Sequence, residues 1–211
     1  MGVPFTADQF LGVFEQYNLA VWPMQIFLYL IALIALILIL WKAKNSDKII
    51  SGILAFFWLW MGIVYHLIYF TSINNAAYIF GALFIVQSIL FFISGFIKSD
   101  LSFKFNFNAY TIAGAIFILY GLIIYPILGY SFGHVYPRAP TFGVPCPTII
   151  FTFGVLLWTN KKFPKYLLII PLIWSFLGFS AVLNWGILED IMLLIAGVLG
   201  TALIVYRDRK S

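Results

Sequence analysis

The sequence predicts an all-α, polytopic membrane protein with seven transmembrane helices, the N-terminus outside and the C-terminus inside. Three observations carry this prediction. Of 211 residues, 64% are hydrophobic, 20% aromatic and only 9% charged, against about 45–50% apolar and about 25% charged in an ordinary globular domain. The apolar residues fall into seven continuous runs. The cations sit in the gaps between runs, almost all on alternate gaps.

The first observation excludes whole classes. A chain this poor in polar residues cannot cover a water-exposed surface, so a soluble enzyme, a disordered tail and a nucleic-acid binder are ruled out. The formal charge of +5 is distributed as membrane topology rather than as a phosphate-binding face. With Cys146 as the single cysteine, there is no intramolecular disulfide, CxxC redox pair or four-cysteine metal cage. The first 20 residues hold no Lys or Arg and do not read as a cleavable signal peptide, so the first span is expected to act as its own insertion signal.

The chain reads as one transmembrane domain over 1–211. Its runs are Val21–Trp41, Ile49–Phe70, Ala76–Ile97, Ala109–Gly129, Thr148–Trp158, Tyr166–Asn184 and Ile191–Tyr206. They are continuous rather than alternating, which favours helices over a barrel. A helix needs about 20 residues to cross about 30 Å of hydrocarbon. The seventh run is short alone, and Trp185–Glu189 extend it.

Orientation follows from Lys and Arg. One set of gaps holds Lys42, Lys44 and Lys48; Lys98 and Lys104; Lys161, Lys162 and Lys165; the tail holds Arg207, Arg209 and Lys210. Those eleven of the twelve basic residues belong inside, leaving Arg138 outside. The prediction is an inner (plasma) membrane protein, multi-pass, with the lipid bilayer as its partner and no nucleic acid. Trp22, Trp41, Trp158 and Trp185 stand at run ends as headgroup-level anchors. Residues 6–18 read as an amphipathic helix opened by a Thr6/Gln9 capping box. Phe10, Phe14 and Tyr17 share one face, and the helix either lies on the outer surface or plugs the outer mouth.

An offset of 116 residues carries Trp58 and Gly62 onto Trp174 and Gly178, Gly81 onto Gly197, and Asn74 onto Asp190. Read as a repeat, this gives a 3+1+3 parallel arrangement with a pseudo-twofold along the membrane normal; coincidence is the alternative. Retinal proteins share that layout, but the seventh run has no Lys for a Schiff base. No cofactor is evident.

The fifth run is the anomaly. Residues 133–148 read GHVYPRAPTFGVPCPT, and four prolines keep the segment rigid and non-helical. From Pro147 to Trp158 is only about 18 Å of helix, about 12 Å short of the hydrocarbon thickness. Residues 130–147 are therefore expected to re-enter the outer half of the bilayer, covered by protein or lining a cavity. The positive end of the helix then points into that cavity. A shortened helix with local thinning is the alternative.

Polar residues gather toward the same side. The candidate pocket residues are His66, His134, Tyr136, Arg138, Cys146, Thr148, Asn74, Gln25, Gln87 and Asp190. His66, inside the second run, suits a proton relay, a metal ligand or a substrate hydrogen bond, or a structural role. Glu189 reads as a solvated carboxylate at a helix N-terminus, and Arg138 as a partner for Glu189 or Asp190. His66, His134, Cys146 and Asp190 have the donor types for zinc or copper, without HxxxH or HExxH spacing. No nucleotide loop or nucleophile elbow is present.

The stretches GHVYPRAPTFGVPCPTIIFTFG, FTADQFLGVFEQYN with the following VWP, and VYHLIYFTSINNAA together resemble a family of functionally uncharacterised prokaryotic integral-membrane proteins. The resemblance spans nearly the whole chain and implies a bacterial or archaeal membrane protein. It brings no activity, cofactor or catalytic residue with it. Three functions remain open: a small-molecule or ion transporter or binding protein with an outward polar pocket, a metal-dependent enzyme at the outer leaflet, or a non-catalytic sensor or assembly subunit.

Overall fold

The computed structural model describes residues 5–210, and they are all-α. Six stretches are long and apolar enough to cross a membrane: Met24–Trp41, Ser46–Ser72, Ala77–Ile97, Ala109–Ser131, Lys165–Trp185 and Leu188–Lys210. A shorter apolar helix, Pro145–Leu157, lies among them. No strand forms among the described residues; Phe103 and Thr159 make an isolated antiparallel bridge.

The chain opens with α1 (Ala7–Ala20), capped by the Thr6/Gln9 box in both directions. It stops before Pro23, which has no amide hydrogen to continue the ladder, so the second helix, α2 (Met24–Trp41), starts three residues later than the apolar run. α3 (Ser46–Trp60) passes into a π-helical segment, Met61–Tyr69, and α4 (Ala77–Phe91) into another, Phe92–Ile97. α5 (Ala109–Leu119) and α6 (Tyr125–Ser131) are one rod joined by π-helical residues 120–124. Then follow α7 (Pro145–Leu157), α8 (Ile169–Gly178), α9 (Ser180–Trp185) and α10 (Ile191–Lys210).

The short α7 is the axis of the bundle. All thirteen of its residues are buried, against half or fewer in each long helix. Length matters for a helix facing lipid; this one faces protein on every side. Close approach is what permits it. A Cβ on Gly154 would stand 2.7 Å from the Gly114 carbonyl, and one on Gly114 would stand 2.6 Å from the Gly154 carbonyl. Seven residues on, a Cβ on Gly121 would stand 2.6 Å from the Pro147 carbonyl. α5 and α7 thus run antiparallel along a seam of small residues, the contact that lets backbones meet without hydrocarbon between them.

The outside of the bundle is apolar. Leu30, Leu33, Ile37, Ile79, Ile116 and Ile127 are all more than 40% exposed, as lipid-facing helices require. Trp22 and Trp41 are exposed at helix ends, in keeping with anchors. Trp158 is not an anchor: it is 6% exposed, and its indole donates to the Thr111 carbonyl at 2.8 Å. Trp185 is also turned inward, stacked on Phe5 and Phe10.

The basic gaps gather at one end. Lys42 Nζ donates to Asp47 at 2.6 Å and to the Phe103 carbonyl at 2.7 Å, while Asp47 accepts from Phe103 N. Lys104 N donates to the Trp158 carbonyl, and Arg207 to the Thr159 carbonyl. Asp208 accepts from Phe163 N at 2.7 Å. The opposite end is closed by α1 and the loop before α7.

Candidate functional site

At the α1 end the proline-rich loop divides in two. Residues 131–136 are mostly exposed, while Pro140 and Phe142–Val144 are buried. Phe142 packs on Tyr29, Phe57 and Phe151. Gly143 has φ +107 and lies so close to Leu28 that a Cβ would meet it at 2.3 Å; no other residue fits this turn. Its amide donates to Thr148 Oγ1 at 2.9 Å. The irregular backbone is therefore covered by protein, as its depth in the bundle demands.

Asn18 holds that loop in place. Its amide donates to the carbonyls of Pro137 (2.7 Å) and Ala139 (2.8 Å), and its oxygen accepts from Thr141. Gln25 donates to the Asn18 carbonyl at 2.9 Å, and the half-exposed Tyr136 reaches the same carbonyl at 3.4 Å. Arg138 sits at the surface beside Asp8 (2.5 Å) and Glu15 (3.6 Å), not beside Glu189 or Asp190. The hydrogen bond that it donates to the Asp8 carboxylate, chiefly, holds its guanidinium above the usual value.

Beneath α1 lies a cavity of about 140 Å³. Its roof is Phe10 and Phe14 of α1. One wall is Tyr65 and Phe70 from the π-helical continuation of α3 and its end, with Phe80 of α4. The opposite side is Trp174 and Gly178 of α8 with Trp185 of α9. The floor is Val144, Pro145 and Cys146, the N-terminus of α7. Asn74 stands at the rim, its oxygen accepting from Ala76 N. Among the described residues no Asp, Glu, Lys or Arg lines this space. The amphipathic face of α1 is spent on the protein: Phe10 and Phe14 stack on Trp185 and Tyr65 rather than on lipid. Tyr17, on the same face, accepts from Trp60 Nε1 at 2.8 Å, and burial pushes its hydroxyl well above its ordinary pKa.

His66 stands behind the wall of this cavity. It is fully buried and ringed by Tyr65, Phe70, Phe80, Phe84 and Trp174, with centroids 4.6–5.9 Å away. Neither ring nitrogen makes a hydrogen bond among the described residues, and neither does Trp174 Nε1. Leaving a buried donor or acceptor unmade costs about 1–3 kcal/mol each.

A second cluster adjoins the floor. Glu189 and Asp190 are both buried. His134 Nδ1 lies 2.8 Å from Glu189 Oε1, and Tyr120 donates to the Glu189 carbonyl. Tyr125 donates to Asp190 at 2.5 Å, and the Cys146 thiol faces the same carboxylate. Glu189 is thus a paired, enclosed acid rather than a solvated one, because the loop folds His134 back over it. Gly129 leaves room: a Cβ there would lie 3.1 Å from Glu189 Oε1.

The ten sequence candidates therefore separate. Asn74 and Cys146 line the cavity, and His66 backs it. His134 and Asp190 belong to the acid cluster, which Cys146 links to the cavity. Gln25 and Tyr136 serve the Asn18 anchor, Thr148 caps the loop, and Arg138 ties the loop to α1. Gln87 is apart, donating to the Leu167 carbonyl at 3.0 Å. The four metal candidates do not assemble: among the described residues no three His, Cys, Asp or Glu side chains come together to hold an ion. Trp174, Tyr65, Phe10 and Phe14 line the cavity and Tyr125 holds Asp190, and the sequence reading did not select them. Phe10 and Phe14 had a visible signal in their helical spacing, and Trp174 in its spacing from Gly178.

No curated protein and no solved structure matches this chain. Residues 7–211 match the model of a family of unknown function, DUF6064, and the chain belongs to that family.

Proposed function

We propose that this is an integral membrane protein with seven spanning segments, N-terminus outside, that binds a small apolar ligand in the aromatic pocket beneath α1. The observation that carries the reading is the pocket: about 140 Å³, walled by aromatic rings and lined by no charged residue. A cavity of about 150 Å³ with apolar walls is large enough for a benzene-sized guest. The orientation rests on the basic loops, which share the end opposite α1. α7 counts as the seventh span because it lies inside the other six. The pocket is then at the outer end, and it is aromatic rather than polar.

Binding is favoured over transport by the other half of the bundle. Below the pocket, Trp58, Phe84 and Phe91 are each 1% exposed or less, a packed aromatic layer that argues against an open path inward. A metal-enzyme reading lacks its ligand set. The 116-residue offset is not part of this proposal, because its two halves have unlike surroundings. α2 is the least buried long helix and α7 is enclosed, whereas a twofold would give them equivalent places.

The test is titration of detergent-solubilised protein with single-ring hydrocarbons, compared with Ala181→Trp, which fills the pocket from α9. Saturable binding to the wild type and its loss in the variant are expected. Indistinguishable titrations of the two proteins overturn the pocket, and flux of such ligands through vesicles restores the transport reading.

A further inference from the structure

At the end of the bundle opposite the pocket, we infer that the hollow between the ends of α7 and α10 and the start of α5 holds the headgroup of an anionic membrane lipid. The hollow is about 390 Å³, and its lining includes Lys104, Lys161, Lys162 and Arg207, drawn from three separate stretches of chain. One carboxylate, Asp208, lies among them. It is already engaged, accepting from Phe163 N at 2.7 Å and pairing with Arg207 at 2.9 Å. Lys104, Lys161 and Lys162 make no ion pair among the described residues. Three positive charges are thus left around one concave space with no acid to answer them.

The backbone that carries these lysines is held in place. Lys104 N donates to the Trp158 carbonyl at 2.8 Å and Asn160 N to the Ser102 carbonyl at 3.0 Å. The segment bearing Lys104 is thereby stitched to the one bearing Lys161 and Lys162. Arg207 joins α10 to the same place, donating to the Thr159 carbonyl at 2.6 Å. The same bonds matter for charge. The C-terminal end of α7 carries partial negative charge, which repels an anion. Here the Trp158 and Thr159 carbonyls are already taken up by Lys104 N and Arg207.

The level of the hollow makes the anion a lipid. Exposed apolar side chains begin within a turn of it: Phe107 is 87% exposed just before α5, Ile112 43% in the first turn of α5, and Tyr206 52% beside Arg207 in α10. Cations at such a boundary meet headgroups, while the surfaces beyond them meet acyl chains. Basic pockets between spanning helices suit anionic headgroups for this reason. An adjoining hollow is the weaker candidate, because Asp100 shares its lining with Lys161, Lys162 and Lys165. The site needs the membrane but not the aromatic pocket.

The experiment measures binding of dioleoyl phosphatidylglycerol and dioleoyl phosphatidylcholine to the detergent-solubilised full chain by native mass spectrometry. Each basic side chain beside an anionic headgroup is worth about fivefold in affinity, so three unpaired lysines should favour the anionic lipid by about a hundredfold. That comparison needs no variant. Lys104→Gln with Lys162→Gln should reduce the preference by about twentyfold. Lys44→Gln with Lys98→Gln removes the same charge from the same end but outside the hollow, and should leave the preference within about twofold. Glycerol phosphate and inorganic phosphate at the lipid's concentration should leave the lipid bound, because they bring no acyl chains. Equal binding of the two lipids overturns the site. Equal losses in the two double variants overturn it in favour of a diffuse basic surface, and displacement by either free phosphate in favour of a soluble anion. Each of these outcomes leaves the aromatic pocket to its own titration with uncharged rings.

Discussion

His134 Nδ1 lies 2.8 Å from Glu189 Oε1, pairing a side chain on the loop before α7 with a carboxylate that has no exposed surface. The pair ties the start of the loop to the entrance of α10 across 55 residues of chain. Removing one partner strands the other. His134→Ala should destabilise the protein by about 1–3 kcal/mol, the cost of leaving a buried polar group without its hydrogen-bond partner. Glu189→Gln should cost less in that background than it does alone, because the partner it would strand is already gone. Thermal unfolding in detergent of the two singles and the double gives the coupling; strictly additive losses would falsify the pairing.

The α5–α7 seam makes a steric prediction. At Gly154 an added methyl meets the Gly114 carbonyl and the Ile118 amide at 2.7 and 2.9 Å, both backbone atoms that cannot swing aside. Gly154→Ala should cost about 1–3 kcal/mol by overpacking. Gly52→Ala has nothing within 4 Å and should be neutral or slightly stabilising, since alanine favours helix. A midpoint drop shared equally by both variants would refute the seam.

Asn18 should control the loop. Its amide holds the Pro137 and Ala139 carbonyls on either side of Arg138. Asn18→Ala should release that peptide and raise the rate of tryptic cleavage after Arg138 by about tenfold, a change set by the local opening free energy. An unaltered cleavage rate argues that α1 and the Asp8 contact hold the loop alone.

Cys146 is expected to resist labelling. From the sequence it belongs to the re-entrant loop of residues 130–147; in the fold it is the floor of a cavity roofed by Phe10 and Phe14. Phe10→Ala should admit the reagent from the N-terminal side, and wild type should react slowly from either side. Orientation is better read from exposed positions at the two ends. In a Cys146→Ser background, Ser131→Cys should label from outside and Lys44→Cys from inside; the reverse pattern inverts the topology.

The capping box at Thr6 and Gln9, the apolar stripe of α1, the existence of several long apolar helices and the gathering of cations at one end were all legible in the sequence. Each is a local pattern: a three-residue spacing, a helical period, an uninterrupted run, a bias between gaps. The brevity of α7 was legible as well. The meaning of that brevity was not, because length alone does not distinguish a helix stranded in lipid from one that never meets it. That distinction depends on Gly114, Gly121 and Gly154 facing α7's neighbours, a relation between segments.

The candidate site divides in the same way. Composition and periodicity determined that this chain is helical, apolar on its outside and polarised end to end, since those properties are sums over neighbouring residues. Only the tertiary structure decided that Trp158 and Trp185 turn inward, that Glu189 meets His134 rather than water, that Arg138 meets Asp8, and that α1 roofs a pocket. Aromatic residues were too abundant to single out by type. What singles out Trp174 is its place in the wall of a space, and burial and space exist only once distant segments are packed together.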